Sequence, residues 1–287
     1  MPAPIIWVVG SGGLLGSAVV RELTRHGRPP VVTRVPWSNP ALAREVLAAQ
    51  ARKVAARASD PAVDGWRLVW CAGAGVNGTA ESVFLDEIAA FTTALDQLAD
   101  VAATGQVLLA SSAGGVYAGA GGAPHTEETT PVPLAPYGVN KLRAEDALRH
   151  WASKHDGRAV IARFSNLAGP GEILDRPQGL VAHLCRGYLL AKPISIYVPV
   201  DTLRDYLYVD DAARMTTALL EVDVTPGTPL VKICAAGRAV TIGGLLGASR
   251  TVFKRAPRVT MGSSERASMQ ALDLRLRSIV LPEIDAL

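Results

Sequence analysis

Tyr137 and Lys141 stand four residues apart in Tyr137-Gly-Val-Asn-Lys141. That spacing puts both side chains on one face of a helix. A phenol titrating at about 10 is a poor acid–base group at neutral pH. A neighbouring ammonium stabilises the phenolate and brings proton exchange with a substrate oxygen into the working range. Upstream, Gly10-Ser-Gly-Gly13-Leu14-Leu15-Gly16 is a G-x-x-G-x-x-G string. Glycines so spaced allow a tight turn, close backbone approach to a pyrophosphate and close packing of the following helix. The first N–H groups of that helix then face the anion. Between the two motifs, Ser111-Ser112 offers hydroxyls.

The elements that must position these groups alternate along the chain. Residues 4–9 are a continuous apolar run ending at Gly10, the pattern of a strand buried on both faces. Helical spacing of apolar residues follows over 13–25. Strands are predicted at 30–34, 66–72, 106–111 and 159–164, with helices at 41–58 (opened by Asn39-Pro40), 83–103 and 137–155. Apolar strands separated by helices imply a parallel sheet covered on both faces: an α/β, Rossmann-type doubly wound fold. Past residue 166, Pro170, Pro177, Pro193 and Pro199 break the pattern, leaving a strand into a helix at 205–221 and a strand at 229–234. This divides the chain into a dinucleotide-binding domain, 1–166 with 205–237, and a smaller interleaved substrate lobe, 167–204 with 238–287.

Composition narrows the function classes. Hydrophobic residues make up 49% of the 287 and charged residues 19%, an ordinary globular balance. The net charge of +3 is too small to predict a nucleic-acid partner. No uncharged apolar stretch approaches the roughly 18 residues a membrane span needs, and 1–9 has no basic segment that would open a secretory leader. Cys71, Cys185 and Cys234 are dispersed, which predicts free thiols in a cytoplasmic protein and no metal site.

The end of the second strand sets the choice of dinucleotide. A carboxylate there binds the 2′-hydroxyl of NAD; an arginine favours the 2′-phosphate of NADP. Val31-Val32-Thr33-Arg34 carries no acid before Glu45, so Arg34 favours NADP(H) over NAD(H), with Arg44 a weaker second phosphate partner.

Ordered blocks complete the pattern: the three glycines, Cys71-Ala72-Gly73, Ser111-Ser-Ala-Gly-Gly-Val-Tyr117, Pro136-Tyr137-Gly-Val-Asn-Lys141, Arg163-Phe-Ser-Asn166-Leu-Ala-Gly-Pro-Gly171 and Arg204-Asp-Tyr-Leu-Tyr-Val-Asp-Asp211. In these the chain resembles the extended short-chain dehydrogenases/reductases, a group of nucleotide-sugar epimerases, dehydratases and ketoreductases. The resemblance implies that Tyr137 is the acid–base and Lys141 holds the nicotinamide ribose. It also implies that Gly10, Gly13, Leu14, Leu15, Gly16, Cys71, Ala72 and Gly73 line the cofactor. Asn166 and Arg204 match positions that grip the sugar nucleotide, Arg204 at its diphosphate, where a guanidinium suits phosphate. Residues 250–277 hold seven Lys or Arg against two Asp or Glu, and within them Arg266 is a second candidate anchor. Asp211 reads as a helix N-cap.

Departures from that pattern are equally informative. The usual catalytic serine or threonine falls at Ala113, which shifts the expectation to Ser112, ahead of Ser111. A carboxylate near the adenine is missing, with Asp60 and Asp64 as weak substitutes. The asparagine usual in the helix at 83–103 aligns with Asp86 or Glu87. Gly114 and Gly115 occupy the places of a dehydratase's added acid and base. The leading expectation is an NADPH-dependent ketoreductase of a nucleotide-activated keto-sugar, with hydride delivered at C4 and a proton from Tyr137. The alternatives are an NAD-dependent nucleotide-sugar 4-epimerase and a non-catalytic dinucleotide sensor. The resemblance also implies a homodimer formed through the helices at 83–103 and 137–155.

Overall fold

Strand β1 (Ile5–Val9) has all five side chains buried, and its two faces belong to two different cores. Ile5, Trp7 and Val9 enter one, Ile6 and Val8 the other. Such a strand needs helices on both sides of its sheet. The computed structural model of the chain supplies them; it describes residues 3–73, 75, 79–173, 179–262 and 271–285.

After β1 come α1 (Leu14–Arg25), β2 (Val31–Val32) and α2 (Pro40–Ala58). Next are β3 (Trp66–Trp70), α3 (Glu81–Asp96), β4 (Gly105–Ser112) and the short α4 (Ala113–Val116). The long α5 (Pro136–His155) leads into β5 (Arg158–Phe164), β6 (Asn166–Ala168), α6 (Leu180–Leu190) and β7 (Ile194–Ile196). The rest is β8 (Leu203–Tyr208), α7 (Val209–Leu219), β9 (Leu230–Cys234), β10 (Ala239–Thr241), α8 (Ile242–Phe253), β11 (Val259–Met261) and β12 (Asp273–Leu274).

The large sheet runs β2-β1-β3-β4-β5-β9, parallel throughout. α2, α3 and α5 cover one face around Trp7, Leu47, Trp66 and Leu148; α1 and α7 cover the other around Val8, Val19 and Leu219. α2 shows why its sequence is helical. Asn39 caps it by accepting a hydrogen bond from Leu42 N (3.2 Å), Pro40 opens it, and Ala43, Leu47, Ala51, Val54 and Ala58 form its buried stripe.

A smaller sheet has β8 at its centre, antiparallel to β10 and parallel to β12 and β6. β8 therefore belongs to the smaller sheet, whereas α7, which follows it directly, packs on the large one. A third cluster, around Val116, Tyr117, Ile233, Leu274 and Leu276, joins the two.

Three sequence expectations are corrected. The strand predicted at 30–34 is paired only at Val31–Val32, because β2 is an edge strand with a single neighbour and Val32 is exposed. The helix predicted at 83–103 ends at Asp96 and is followed by a 3₁₀ segment, Ala99–Thr104. There Val101 has non-helical backbone angles (φ −115°, ψ 17°), and its carbonyl accepts the Trp66 indole N–H (2.9 Å). Asp211 is not an N-cap: α7 is capped at Tyr208, and Asp211 lies in its first turn, paired with Arg214.

Candidate active site

Strand order reverses between β1 and β3, since β2 lies on the outer side of β1 and all later strands of the large sheet lie beyond β3. Ligands of such sheets sit outside the carboxyl ends of the strands at this switch point. The two turns that flank it touch. Gly10 has φ +88°, and a methyl group on it would lie 2.6 Å from Ala72 N and 2.7 Å from the Cys71 carbonyl carbon. One on Gly16 would lie 2.2 Å from Gly10 O, so α1 rests directly on the turn. Gly13 N donates to Gly10 O (3.0 Å), and Gly13 caps α1 with no side-chain hydrogen bond and no acid in the first turn. The N–H groups of that turn, Leu14 and Leu15 among them, are therefore not taken by a side chain, and nothing would meet a methyl group on Gly12. The cradle fits a dinucleotide pyrophosphate.

Arg34 lies past β2 and is exposed. Thr33 Oγ1 receives the Trp7 indole N–H (3.0 Å). Arg44 is paired with Asp86 (3.6 Å) on the surface. Asp64 N donates to Ala3 O and Asp60 receives Ala62 N, which puts both carboxylates at the amino-terminal edge of the sheet. Neither can serve the opposite edge.

α5 carries Tyr137 in its first turn behind Pro136. The Tyr137 ring packs on Gly115, where a methyl group would meet it at 3.0 Å. The Lys141 ammonium lies 5.7 Å from the centre of that ring and donates to Ala110 O at the end of β4 (3.2 Å). Ser112 Oγ accepts from Gly115 N (3.1 Å), which leaves its proton available to donate. Ser112 and Tyr137 thus flank Gly115 at the carboxyl end of β4. Ser111 is turned the other way, its Oγ donating to Glu145 Oε1 (2.6 Å) in the interior, and Ala113 is fully buried. Burial pushes the Cys71 thiol up to about 12, against the pull of Lys141, so it stays protonated beside the turn.

Behind the serines lies a network that sequence reading did not single out. Arg163 donates to both Glu145 oxygens (3.0 and 2.6 Å) and to the Tyr117 hydroxyl (2.6 Å), and Arg149 adds a bond to Glu145 (3.0 Å). Burial works to raise the Glu145 carboxyl, but the Arg163 pair outweighs it and holds the group below its ordinary range. Arg163 is likewise held up, its burial outweighed by Glu145. Tyr137, Lys141 and Glu145 are successive i, i+4 positions of α5, and that spacing is the signal that would have found Glu145.

On the smaller sheet, Asn166 is exposed and its Nδ2 donates to Asp205 O (2.9 Å). Arg204 is 9% exposed and its guanidinium donates to Leu203 O (2.9 Å); no carboxylate pairs with it among the described residues. Burial lowers its proton affinity, with Tyr206 and Asp273 opposing. A buried guanidinium without a carboxylate is a site suited to an anion. Arg266 lies outside the described residues. Among them, no three His, Cys, Asp or Glu side chains cluster as metal ligands, and no helix is long and apolar enough to cross a membrane.

Known proteins resemble the chain in sequence and fold. The chain is 31% identical to a dTDP-4-dehydro-6-deoxyglucose reductase of Escherichia coli, over 40% of its own length and 36% of the relative's, so the match spans little more than a third of that enzyme. It is 29% identical to a UDP-glucose 4-epimerase of Azospirillum brasilense over 84% of this chain and 75% of the other. The fold superposes on a UDP-glucose 4-epimerase of Thermotoga maritima with a TM-score of 0.80, at 18% identity, covering 97% of this chain and 91% of that one. A sequence profile described as the NAD dependent epimerase/dehydratase family matches residues 6–233. With its doubly wound sheet, its glycine cradle at the switch point and this match over most of its length, the chain belongs to the NAD-dependent epimerase/dehydratase family of enzymes, in the extended short-chain dehydrogenase/reductase group.

Proposed function

We propose that the protein is a nucleotide-sugar 4-epimerase that uses a bound nicotinamide dinucleotide. The observation that carries the reading is the placement of Ser112 and Tyr137 about Gly115, with glycines at 114 and 115 where an elimination would need a second acid–base pair. The dinucleotide supplies a hydride acceptor and donor at a sugar ring carbon. Tyr137 takes the proton of the C4 hydroxyl and later returns it, Lys141 stabilises the phenolate, and Ser112 donates to the same oxygen. Arg204 would hold the diphosphate, which leaves the sugar free to present either face of C4 to Tyr137 and Ser112. Exposed Val83, Leu85 and Val139 on α3 and α5 support a homodimer through those helices, which light scattering would test.

A second reading, the NADPH-dependent ketoreductase, is favoured by Arg34 and by the missing carboxylate after β2. It ranks second because Arg34 is exposed and, among the described residues, no neighbour fixes it toward a 2′-phosphate.

Purified protein incubated with UDP-glucose and NAD+ tests the proposal by NMR of the sugar. Inversion at C4 without net change in cofactor is the expected result, abolished to below about 10⁻³ of the parent rate in Tyr137→Phe with cofactor binding retained. Stoichiometric NADPH oxidation by a 4-keto nucleotide sugar, weakened in Arg34→Ala and unaccompanied by epimerisation, would replace it with the reductase.

A further inference from the structure

Glu87 faces the same crevice from α3 and has no part in the roles assigned above. Its Oε1 accepts from Gly75 N (3.1 Å) and its Oε2 from Asn140 Nδ2 (3.2 Å). It therefore ties the loop after β3 to the turn of α5 that carries Lys141. A methyl group on Gly73 would lie 3.4 Å from Lys141 Nζ and 3.9 Å from Glu87 Oε2, so ammonium and carboxylate flank one point on that loop. Asp86, its neighbour in sequence, points outward to Arg44. Among the described residues, the other ionisable groups around the crevice are Tyr137 on α5 and Cys71 after β3, whose thiol is protonated. Glu87 is the carboxylate among these groups.

We propose that Glu87 is a positioning residue whose charge biases the site toward the oxidised, positively charged form of the nicotinamide dinucleotide. The proposal rests on reading the crevice between Gly73 and Lys141 as the place that receives the nicotinamide ribose. The nicotinamide ring is cationic in NAD+ and neutral in NADH. Lys141 alone disfavours the cation; a carboxylate beside it offsets that repulsion, and in a half-buried site the effect is weakly screened.

Asn140 makes the charge separable from the geometry. It is 5% exposed, and its Oδ1 has no hydrogen-bond partner among the described residues. In Glu87→Gln the new amide keeps an oxygen for Gly75 N and presents an N–H₂ to residue 140. A flip of the Asn140 amide then offers the idle Oδ1 to that donor. The charge is lost while the bonds to Gly75 N and to residue 140 persist.

The experiment is equilibrium titration of the full chain with NAD+ and with NADH, in the parent, Glu87→Gln, Glu87→Asp and Asn140→Ala. Glu87→Gln is expected to weaken NAD+ about tenfold and NADH by less than about twofold. Glu87→Asp, which keeps the charge, retains the parent ratio even if it is less stable. Asn140→Ala, which breaks the bridge and keeps the charge, weakens both forms by a similar factor of about three. Equal weakening of both forms by Glu87→Gln overturns the charge role. A parent protein that binds neither form overturns the reading of the crevice itself, and the proposal with it, before any variant is made.

Discussion

The two halves of the candidate site are built by different means. The half on the large sheet consists of turns that follow parallel strands directly: Gly10 after β1, Cys71 after β3, Ser112 at the end of β4. Each group sits where its strand stops, so its place follows from a few neighbouring residues. The half on the smaller sheet is assembled across the chain. Arg204 on β8 lies opposite Val240 and Leu274, and Tyr206, two residues on, lies opposite Asn166. In the first half Lys141 is paired with Ala110 O and Glu145 with Arg163; the second holds a buried guanidinium that donates to a backbone carbonyl and, among the described residues, meets no carboxylate. Paired groups hold a geometry, whereas a buried cation without a carboxylate costs stability and suits an anion.

That contrast is open to attack at each point. In the first half, Gly16→Ala drives a methyl group into Gly10 O, and dinucleotide binding should weaken by about 100-fold while nucleotide-sugar binding to the small lobe survives. Calorimetric titration with each ligand separates the two; parallel loss of both would show that the halves are not independent. Arg204→Met is the mirror experiment. It should raise the KM for the nucleotide sugar by roughly 30-fold and leave cofactor binding intact. Because it removes a buried unpaired charge, it should also raise Tm by a few degrees; a fall in Tm would mean that Arg204 is held by the fold and not kept for a ligand.

Glu145→Gln sharpens the comparison from the paired side. It leaves Arg163 buried without its carboxylate, and urea unfolding should show a loss of about 3 kcal/mol. The smallest expected effect is in pH. His125 is fully buried, stacks on Tyr117 (5.4 Å between ring centres), and neither ring nitrogen has a hydrogen-bond partner among the described residues. Burial lowers its proton affinity below the ordinary 6.5, with Asp273 opposing. Below that value the unfolded chain takes up a proton that the folded chain refuses, so stability is lost as pH falls from 6.5. Glu145 adds in the same direction at lower pH, since its carboxyl is held below its ordinary range and its contribution fades as pH falls through it. His125→Phe should flatten the first part of the Tm–pH curve and spare the second.

Much of the large sheet was legible because strands buried on both faces read as continuous apolar runs, as IIWVV does at β1. What escaped is as specific. The shortness of β2 follows from its having one neighbour, which a sequence does not state. The end of α3 at Asp96 is not written in the apolar spacing, and the segment past it is tied to a distant part of the chain, the Trp66 indole donating to Val101 O. Ser111 and Ser112 are chemically alike in sequence; the pleat alone sends one inward to Glu145 and the other toward Gly115. Asp86 and Glu87 are similarly alike, and a helix step of about 100° turns one outward to Arg44 and the other toward Asn140.

By itself, then, the sequence determined the alternation of strands and helices, the glycine cradle and the Tyr137–Lys141 pair, because each is written within a few residues by hydrophobic period, backbone sterics or helical spacing. Only the tertiary structure decided which serine and which carboxylate face the crevice, that Arg204 lies buried without a carboxylate, and that Glu145 and Arg163 lock together behind the site. Those outcomes depend on which distant strands lie side by side, and the free energy that chooses among them is shared over the whole core.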